Sequence, residues 1–343
     1  MKALGHVRKG ILFFLLVLHI GFLLLGVSRV VRIEWWWVAL LNTFALWVYF
    51  PLFVTVTLSA LLRGRITTIV GLIALLWAGA ILFNAYGPMG KPNVPTDVFR
   101  IKVVTYNFLG WNRNAPTSVD WLVNSGADVL FLEEVAAPDG DPLFGQLEAL
   151  YPYSERIMGD NRIMSKYELL EAAPIRLAAT RQMLRAVIAP QGQPISLYSI
   201  HVELPNQGAS NLPIYSDQAP FNMMLSYNEG VRNQMVLEAL NVIKQEPHPH
   251  IVAGDWNMSS TSTIYNQVTN YLTDAYRQGG GSLFGMTWPV GSQLSSGLRW
   301  LPALIRIDYI FHSEEFVTVS ARRGEAIGSD HYPVIAEIAF VGG

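Results

Sequence analysis

Three long apolar stretches fill the first ninety residues, and they limit the fold of this chain more than anything after them. Residues 11–27 are almost wholly apolar, with His19 the only ionisable side chain. Residues 35–62 form a longer stretch interrupted by Asn42 and Pro51, and residues 66–86 form a third. A helix that crosses hydrocarbon needs roughly 20 apolar residues. Three spans over residues 11–27, 35–62 and 66–86 are therefore expected, the first of marginal length. The first stretch also has the basic start and the small-x-small site (Gly26-Val27-Ser28) of a cleaved signal peptide. Two more apolar stretches follow at once, which favours an uncleaved span. Trp35, Trp36 and Trp37 suit an interfacial aromatic belt. Pro51 is expected to kink the second span, and His19 to face the helix bundle.

Charge separates this membrane domain, residues 1–90, from the rest. The chain holds 24 basic and 26 acidic residues; seven of the basic ones and one acid lie in residues 1–90, leaving residues 91–343 with a net charge of −8. Lys2, Arg8, Lys9, Arg63 and Arg65 fall on one side of the spans, Arg29 and Arg32 on the other. The positive-inside rule then puts the N-terminus in the cytoplasm and the soluble part outside it. The expected location is the cell membrane, multi-pass, with residues 98–343 extracytoplasmic. Polyanion binding usually rests on a surplus of Lys and Arg, so the acidic soluble part counts against nucleic acid as partner. There is no cysteine, which excludes disulfides, thiolate metal ligands and a Cys nucleophile. The oligomeric state is not readable.

Gly87, Pro88, Gly90, Pro92 and Pro95 mark a stiff linker, residues 91–97. From residue 98 to 343, strand after strand runs apolar and then presents a polar group. VFRIKVVTY precedes Asn107, DVLFL precedes Glu133-Glu134, and ISLYSIHV carries His201. RIDYIF carries Asp308 inside a strand, and Asp330-His331 precede a last strand. Helices are expected over residues 117–125, 141–150, 231–245 and 261–271, a mixture that implies a layered α/β sandwich. The run Ile251-Val252-Ala253-Gly254-Asp255-Trp256-Asn257 is the centre of the pattern. Alternation along a strand puts Asp255 and Asn257 on one face and turns Trp256 away. By itself the run reads equally as a strand ending in an Asx turn or as a catalytic site. A buried Asp308 needs a partner, and His331 is a plausible one.

Six stretches in order carry a family pattern: Thr105-Tyr106-Asn107, residues 128–134 (DVLFLEE), Ser199-Ile200-His201-Val202, Gly254-Asp255-Trp256-Asn257, residues 306–311 (RIDYIF) and residues 328–334 (GSDHYPV). With them residues 98–340 resemble the endonuclease/exonuclease/phosphatase superfamily. The resemblance implies a four-layer α/β/β/α sandwich of DNase I-like fold, preceded here by three transmembrane helices. It implies that Glu134 is the main ligand of Mg²⁺ or Mn²⁺, helped by Asn107 and Asp330. Asp255 would orient or deprotonate the attacking water, and Asn257 would hold a phosphate oxygen or that water. His331 would contact the phosphate and shuttle a proton, with Asp308 fixing its tautomer. His201 matches a second histidine that assists the phosphate or leaving group. Carboxylate and amide oxygens do suit a hard cation. The chain departs from the pattern twice, with Glu133 in place of the usual Gln and Trp256 in place of Phe.

The resemblance implies a phosphate-ester substrate, and the fold does not choose which. Two long loops rich in apolar residues, 204–227 (Leu212, Ile214, Tyr215, Phe221, Met223, Met224, Leu225) and 289–305 (Leu294, Leu298, Trp300, Leu301, Leu304), either pack on the sandwich edge or face lipid. The leading expectation is a membrane-anchored, metal-dependent phosphodiesterase or phosphatase acting on a phospholipid or another envelope phosphoester. The alternatives are an extracytoplasmic Mg-dependent nuclease and a non-catalytic membrane scaffold that keeps the fold.

Overall fold

In a computed structural model of the chain, residues 2–342 are described apart from 34, 91–92, 111, 113, 138, 178–180, 206–225, 282–283 and 295–297. The loop 204–227 thus lies almost wholly outside the described residues. The described residues divide into two compact units, Met1–Gly87 with Ser260–Thr263, and Pro88–Ser259 with Ile264–Gly343.

In the first unit, helices α1 (Lys2–Val30) and α5 (Arg65–Tyr86) are each long and apolar enough to cross a membrane. The stretch between them, where the sequence suggests one span kinked at Pro51, is bent at another place. It breaks into α2 (Trp36–Thr43), α3 (Ala45–Tyr49) and α4 (Pro51–Leu61), with a bend of 83° between α2 and the α3–α4 pair. The bend falls at Phe44 (φ −101°, ψ 26°), and Pro51 begins α4, a position where its missing N–H is harmless. Asn42 and Thr43, residue types with weak helix preference, end α2 at that point. His19 is fully buried, with Nδ1 3.1 Å from the Thr67 carbonyl on α5 and Nε2 3.1 Å from Thr55 Oγ1 on α4. A methyl group at Gly71 would strike its ring. The histidine faces the bundle, as expected, and both ring nitrogens are satisfied there.

The second unit contains two six-stranded sheets. The first runs in the order β11 (Phe316–Arg323), β12 (Val334–Phe340), β1 (Arg100–Asn107), β2 (Val129–Glu133), β4 (Arg162–Ser165), β3 (Tyr153–Arg156). The second runs β5 (Glu171–Arg176), β6 (Gln182–Ile188), β7 (Ile195–His201), β8 (His250–Asp255), β10 (Asp308–His312), β9 (Thr273–Asp274). Each sheet has one parallel pair near its centre, β1 with β2 and β7 with β8; the other pairings are antiparallel.

Period-two alternation sorts the side chains into layers. Ile101, Val103, Val129, Phe131, Ile195, Leu197, Ile251, Ala253 and Ile310 meet in one core between the sheets. On the outside of the first sheet, Val104, Tyr106, Leu130 and Leu132 pack on α6 (Ala115–Asn124) and α7 (Gly145–Leu150). On the outside of the second, Tyr198, Ile200, Val252, Trp256, Tyr309 and Phe311 pack on the helices Gly230–Ile243 and Thr263–Thr269. Helix, sheet, sheet, helix is the four-layer sandwich the sequence implied. Truncating a core ring such as Phe131 to Ala should cost about 3–5 kcal/mol.

One residue sets how closely the central strands of the second sheet lie. Gly254 has φ +148°, and a Cβ there would fall on the Ile200 carbonyl of β7. Only glycine accepts that conformation and that approach.

Candidate active site

The alternation that fills the inter-sheet core with apolar groups turns polar at the C-terminal ends of β1, β2, β7 and β8 and at the start of the antiparallel β10. Asn107 and Glu133 pair across β1 and β2, His201 and Asp255 across β7 and β8, and Asp255 and Asp308 across β8 and β10. All five are buried. The strands therefore deliver these groups to one end of the layer between the sheets.

Asn107 stitches the sheets together there. Its Nδ2 donates to Glu134 Oε1 at 3.1 Å and to Asp255 Oδ2 at 3.2 Å, while Oδ1 accepts from Leu109 N. Glu134, just past β2 with φ +55°, keeps a side chain that is 37% exposed. Asp255 Oδ1 accepts from Asn257 N at 2.9 Å, which is an Asx turn. The two sequence readings of this run, turn and site, thus describe one object. Asn257 (φ +47°) donates its side-chain amide to the Val202 carbonyl at 2.8 Å, and the buried Arg232 holds its own carbonyl at 3.0 Å. Trp256 points into the outer core, as alternation requires.

Two histidines flank Asp255. His331 Nε2 is 3.8 Å and His201 Nε2 3.9 Å from its Oδ2, and His201 Nε2 is 3.7 Å from Glu134 Oε1. Each rests its Nδ1 on another aspartate. His331 Nδ1 donates to Asp308, 3.0 and 3.1 Å from its two oxygens. His201 Nδ1 sits 2.6 Å from Asp160 Oδ1. That short contact assigns the ring hydrogen to Nδ1, so Arg181, 3.1 Å from the same nitrogen, is a charge beside it and not a donor to it. Arg181 also pairs with Asp160 at 3.2 Å and with Glu203 at 3.1 Å.

These contacts set the proton affinities. Burial alone would lower His331, but Asp308 and Asp255 overcome it and raise the ring well above its usual value. Burial would also lower His201, and the hydrogen bond to Asp160 overcomes it, against the charge of Arg181. Burial, with Asp308 adding to it, pushes Asp255 up to about 6, although the two histidines pull it down. Glu133 is fully buried between the sheets and accepts from Thr105 Oγ1 at 3.2 Å. Burial, then Asp308 and Asp255, raise it well above the carboxylate range. That favours the neutral acid, close in shape to the glutamine it replaces.

Asp330 follows Ser329, and its Oδ2 accepts from Trp288 Nε1 at 3.2 Å. Its partner is thus a tryptophan the sequence did not single out. Asp160 and Arg181 were also missed. Asp160 sits in the β3–β4 turn beside Gly159 and reads as a turn acid, and Arg181 reads as a surface charge. Both become visible only when the second sheet covers the first.

The oxygen set fits a hard divalent cation. Glu134 and Asp255 approach one amide from two sides, and carboxylates gathered in this way favour a cation near them. Asp255, Asp308 and His331 also bring ligand atoms within 4.8 Å of one another. In that trio both Asp308 oxygens already hold His331 Nδ1, an arrangement suited to moving a proton. Glu134, the exposed carboxylate, is better placed to hold metal.

The family model described as "Endonuclease/Exonuclease/phosphatase family" matches residues 83–331. The chain belongs to this family. Solved structures agree. An endonuclease/exonuclease/phosphatase from Bacteroides vulgatus is 17% identical, over 71% of this chain and 99% of that one, with a TM-score of 0.53. Sphingomyelinase C from Streptomyces griseocarneus is 16% identical, over 70% and 99%, with a TM-score of 0.52. Truncated Caenorhabditis elegans TDP2 is 16% identical, over 70% and 98%, with a TM-score of 0.51. At these identities the likeness speaks for the fold. No curated protein matches. Members of the family hydrolyse phosphate esters and depend on a divalent metal, and the chain is an enzyme of that class.

Proposed function

We propose that the chain is a membrane-anchored phosphodiesterase that uses Mg²⁺ or Mn²⁺ and acts outside the cytoplasm on a phospholipid or another envelope phosphoester. One observation carries the chemistry: a buried carboxylate, Asp255, lies within 4 Å of two imidazole Nε2 atoms, each backed by its own aspartate. With Asp255 pushed up to about 6 and His331 raised, the site holds a base and an acid suited to neutral pH. Asp255 takes the proton of the attacking water. His331 Nε2 gives a proton toward the phosphate or the leaving oxygen, while Asp308 fixes the ring. His201 supports the phosphate from the other imidazole. The second hydrogen of the Asn257 amide is left for a phosphate oxygen. Glu134, Asn107 and Asp330 hold the cation, which would neutralise phosphate charge.

The apolar helices α1 and α5 support a membrane anchor. The net charge of −8 after residue 90 supports a substrate other than nucleic acid. The fold shared with sphingomyelinase C, by its name an enzyme of a membrane lipid, points the same way. Full-length protein in detergent, given a phosphodiester reporter and Mg²⁺ or Mn²⁺, should hydrolyse it, and Glu134→Ala and His331→Ala should not. Undiminished turnover in EDTA would sink the metal reading. Labelled phospholipid and plasmid offered in parallel separate a phospholipid phosphodiesterase from a nuclease. A C-terminal tag reachable only from the cytoplasm would overturn the extracytoplasmic placement.

A further inference from the structure

The segment Thr287–Val290 touches both halves of the site's acid set, and nothing in the roles assigned above uses it. It is fastened from two directions. The Thr287 and Trp288 amides both donate to the Ile305 carbonyl, at 2.9 and 3.0 Å, and the Leu304 and Ile305 amides return to the Trp288 carbonyl, at 2.8 and 3.0 Å. Val290 N donates to the Asp330 carbonyl at 2.8 Å, and Tyr332 N to the Thr287 carbonyl at 2.9 Å. Thr287 Oγ1 accepts from the amides of Ile307 and Asp308, at 3.0 and 3.3 Å. The segment therefore fixes the backbone on both sides of Asp330 and at the start of β10.

Asp330 needs that support. It lies in a loop after Gly328 (φ +126°), outside any strand, so no sheet aims its carboxylate. Trp288 Nε1 takes one oxygen, Oδ2, at 3.2 Å. The other, Oδ1, has among the described residues only the long 3.5 Å contact from Ser329 Oγ, whose hydroxyl already accepts from His331 N at 3.1 Å. An indole N–H only donates and carries no charge. It can hold one carboxylate oxygen without neutralising the acid or competing for a cation. Metal-ligating carboxylates are commonly held by such a donor, and losing it costs 10–100-fold in metal affinity or activity.

We propose that Trp288 is a positioning residue: its indole N–H fixes Asp330 so that Oδ1 is presented to the divalent cation. This rests on the reading of Asp330 as a metal ligand. If Trp288 served only as packing, phenylalanine would replace it without consequence for the metal.

The test is a calorimetric titration of Mn²⁺ into metal-stripped full-length protein in detergent, for wild type, Trp288→Phe, Asp330→Asn and the double variant. Trp288→Phe keeps the ring and removes the donor. Its Mn²⁺ affinity should fall by about 10–100-fold, and the double variant should bind no more weakly than Asp330→Asn alone. Trp288→Phe with wild-type affinity, beside a weakened Asp330→Asn, overturns the inference and leaves the metal reading standing. Asp330→Asn with wild-type affinity removes Asp330 from the ligand set and takes the inference with it. An equal weakening in both backgrounds, the mark of a general folding defect, also overturns it.

Discussion

His331 and His201 both reach toward Asp255 Oδ2, at 3.8 and 3.9 Å, and both rest on an aspartate. The aspartates differ. Asp308 is fully buried within the inter-sheet layer, and both its oxygens serve His331. Asp160 comes from a turn, and Arg181 shares it. An Asp–His pair with no Lys or Arg beside it, as at Asp308 among the described residues, leaves the aspartate's charge for the imidazole alone. A pair with an arginine attached has part of that charge already spent. The first arrangement suits a ring that must gain and lose a proton, and the second suits a ring that must stay in place.

The largest effect that would sharpen this contrast is on turnover. His331→Ala should lower kcat on a phosphodiester reporter by roughly 10³-fold, and Asp308→Asn by at least about 10²-fold, since positioned acid–base groups supply 10²–10⁴. His201→Ala should cost less, on the order of 10-fold to 10²-fold. If His201→Ala is the more damaging in parallel assays, the two assignments must be exchanged. Arg181→Leu should have a smaller effect on rate, below about 10-fold, but a directional one on protonation. Removing its positive charge should raise the His201 pKa further, read from the ring's NMR titration; a fall would break the comparison. The smallest effect on activity belongs to Glu246, distant in role. Although burial pushes it up, Arg185 and Tyr198 hold it down to about 2. A depressed carboxylate stabilises the fold above its unfolded pKa, about 4.5, and that contribution is lost as pH falls toward 2. It amounts to roughly 2–3 kcal/mol at most. Glu246→Gln should flatten that part of the urea-stability profile between pH 5 and 2 and leave turnover within about twofold.

What was legible in the sequence was whatever period-two alternation could carry. Asn107, His201, Asp255 and Asp308 stand at the polar ends of apolar strands, and the strands bring them together. The pattern implied a layered α/β sandwich, and the number of layers came from the family resemblance. Strands with little apolar alternation were missed: β3 and β5, both mostly exposed, β5 with Pro174 in it, and β11, whose apolar start gives way to Ser-Ala-Arg-Arg. The second membrane stretch read as one span because hydropathy is blind to direction, and the 83° bend at Phe44 leaves composition unchanged. Asp160, Arg181 and Trp288 escaped for a shared reason. Their partners lie 20 to 42 residues away, in another turn or sheet, and no local pattern announces such a contact.

Gly254 gives this site an unusual kind of vulnerability. Every group assigned to chemistry is a side chain, yet the alignment of His201 with Asp255 depends on a position that has none. A single methyl there would act as a wedge between β7 and β8. It would leave His201 and Asp255 in place on their own strands and still spoil the register between them. Such a variant would retain a full complement of reactive groups and lose the spacing that makes them a catalyst, a lesion that a search for altered catalytic residues would pass over.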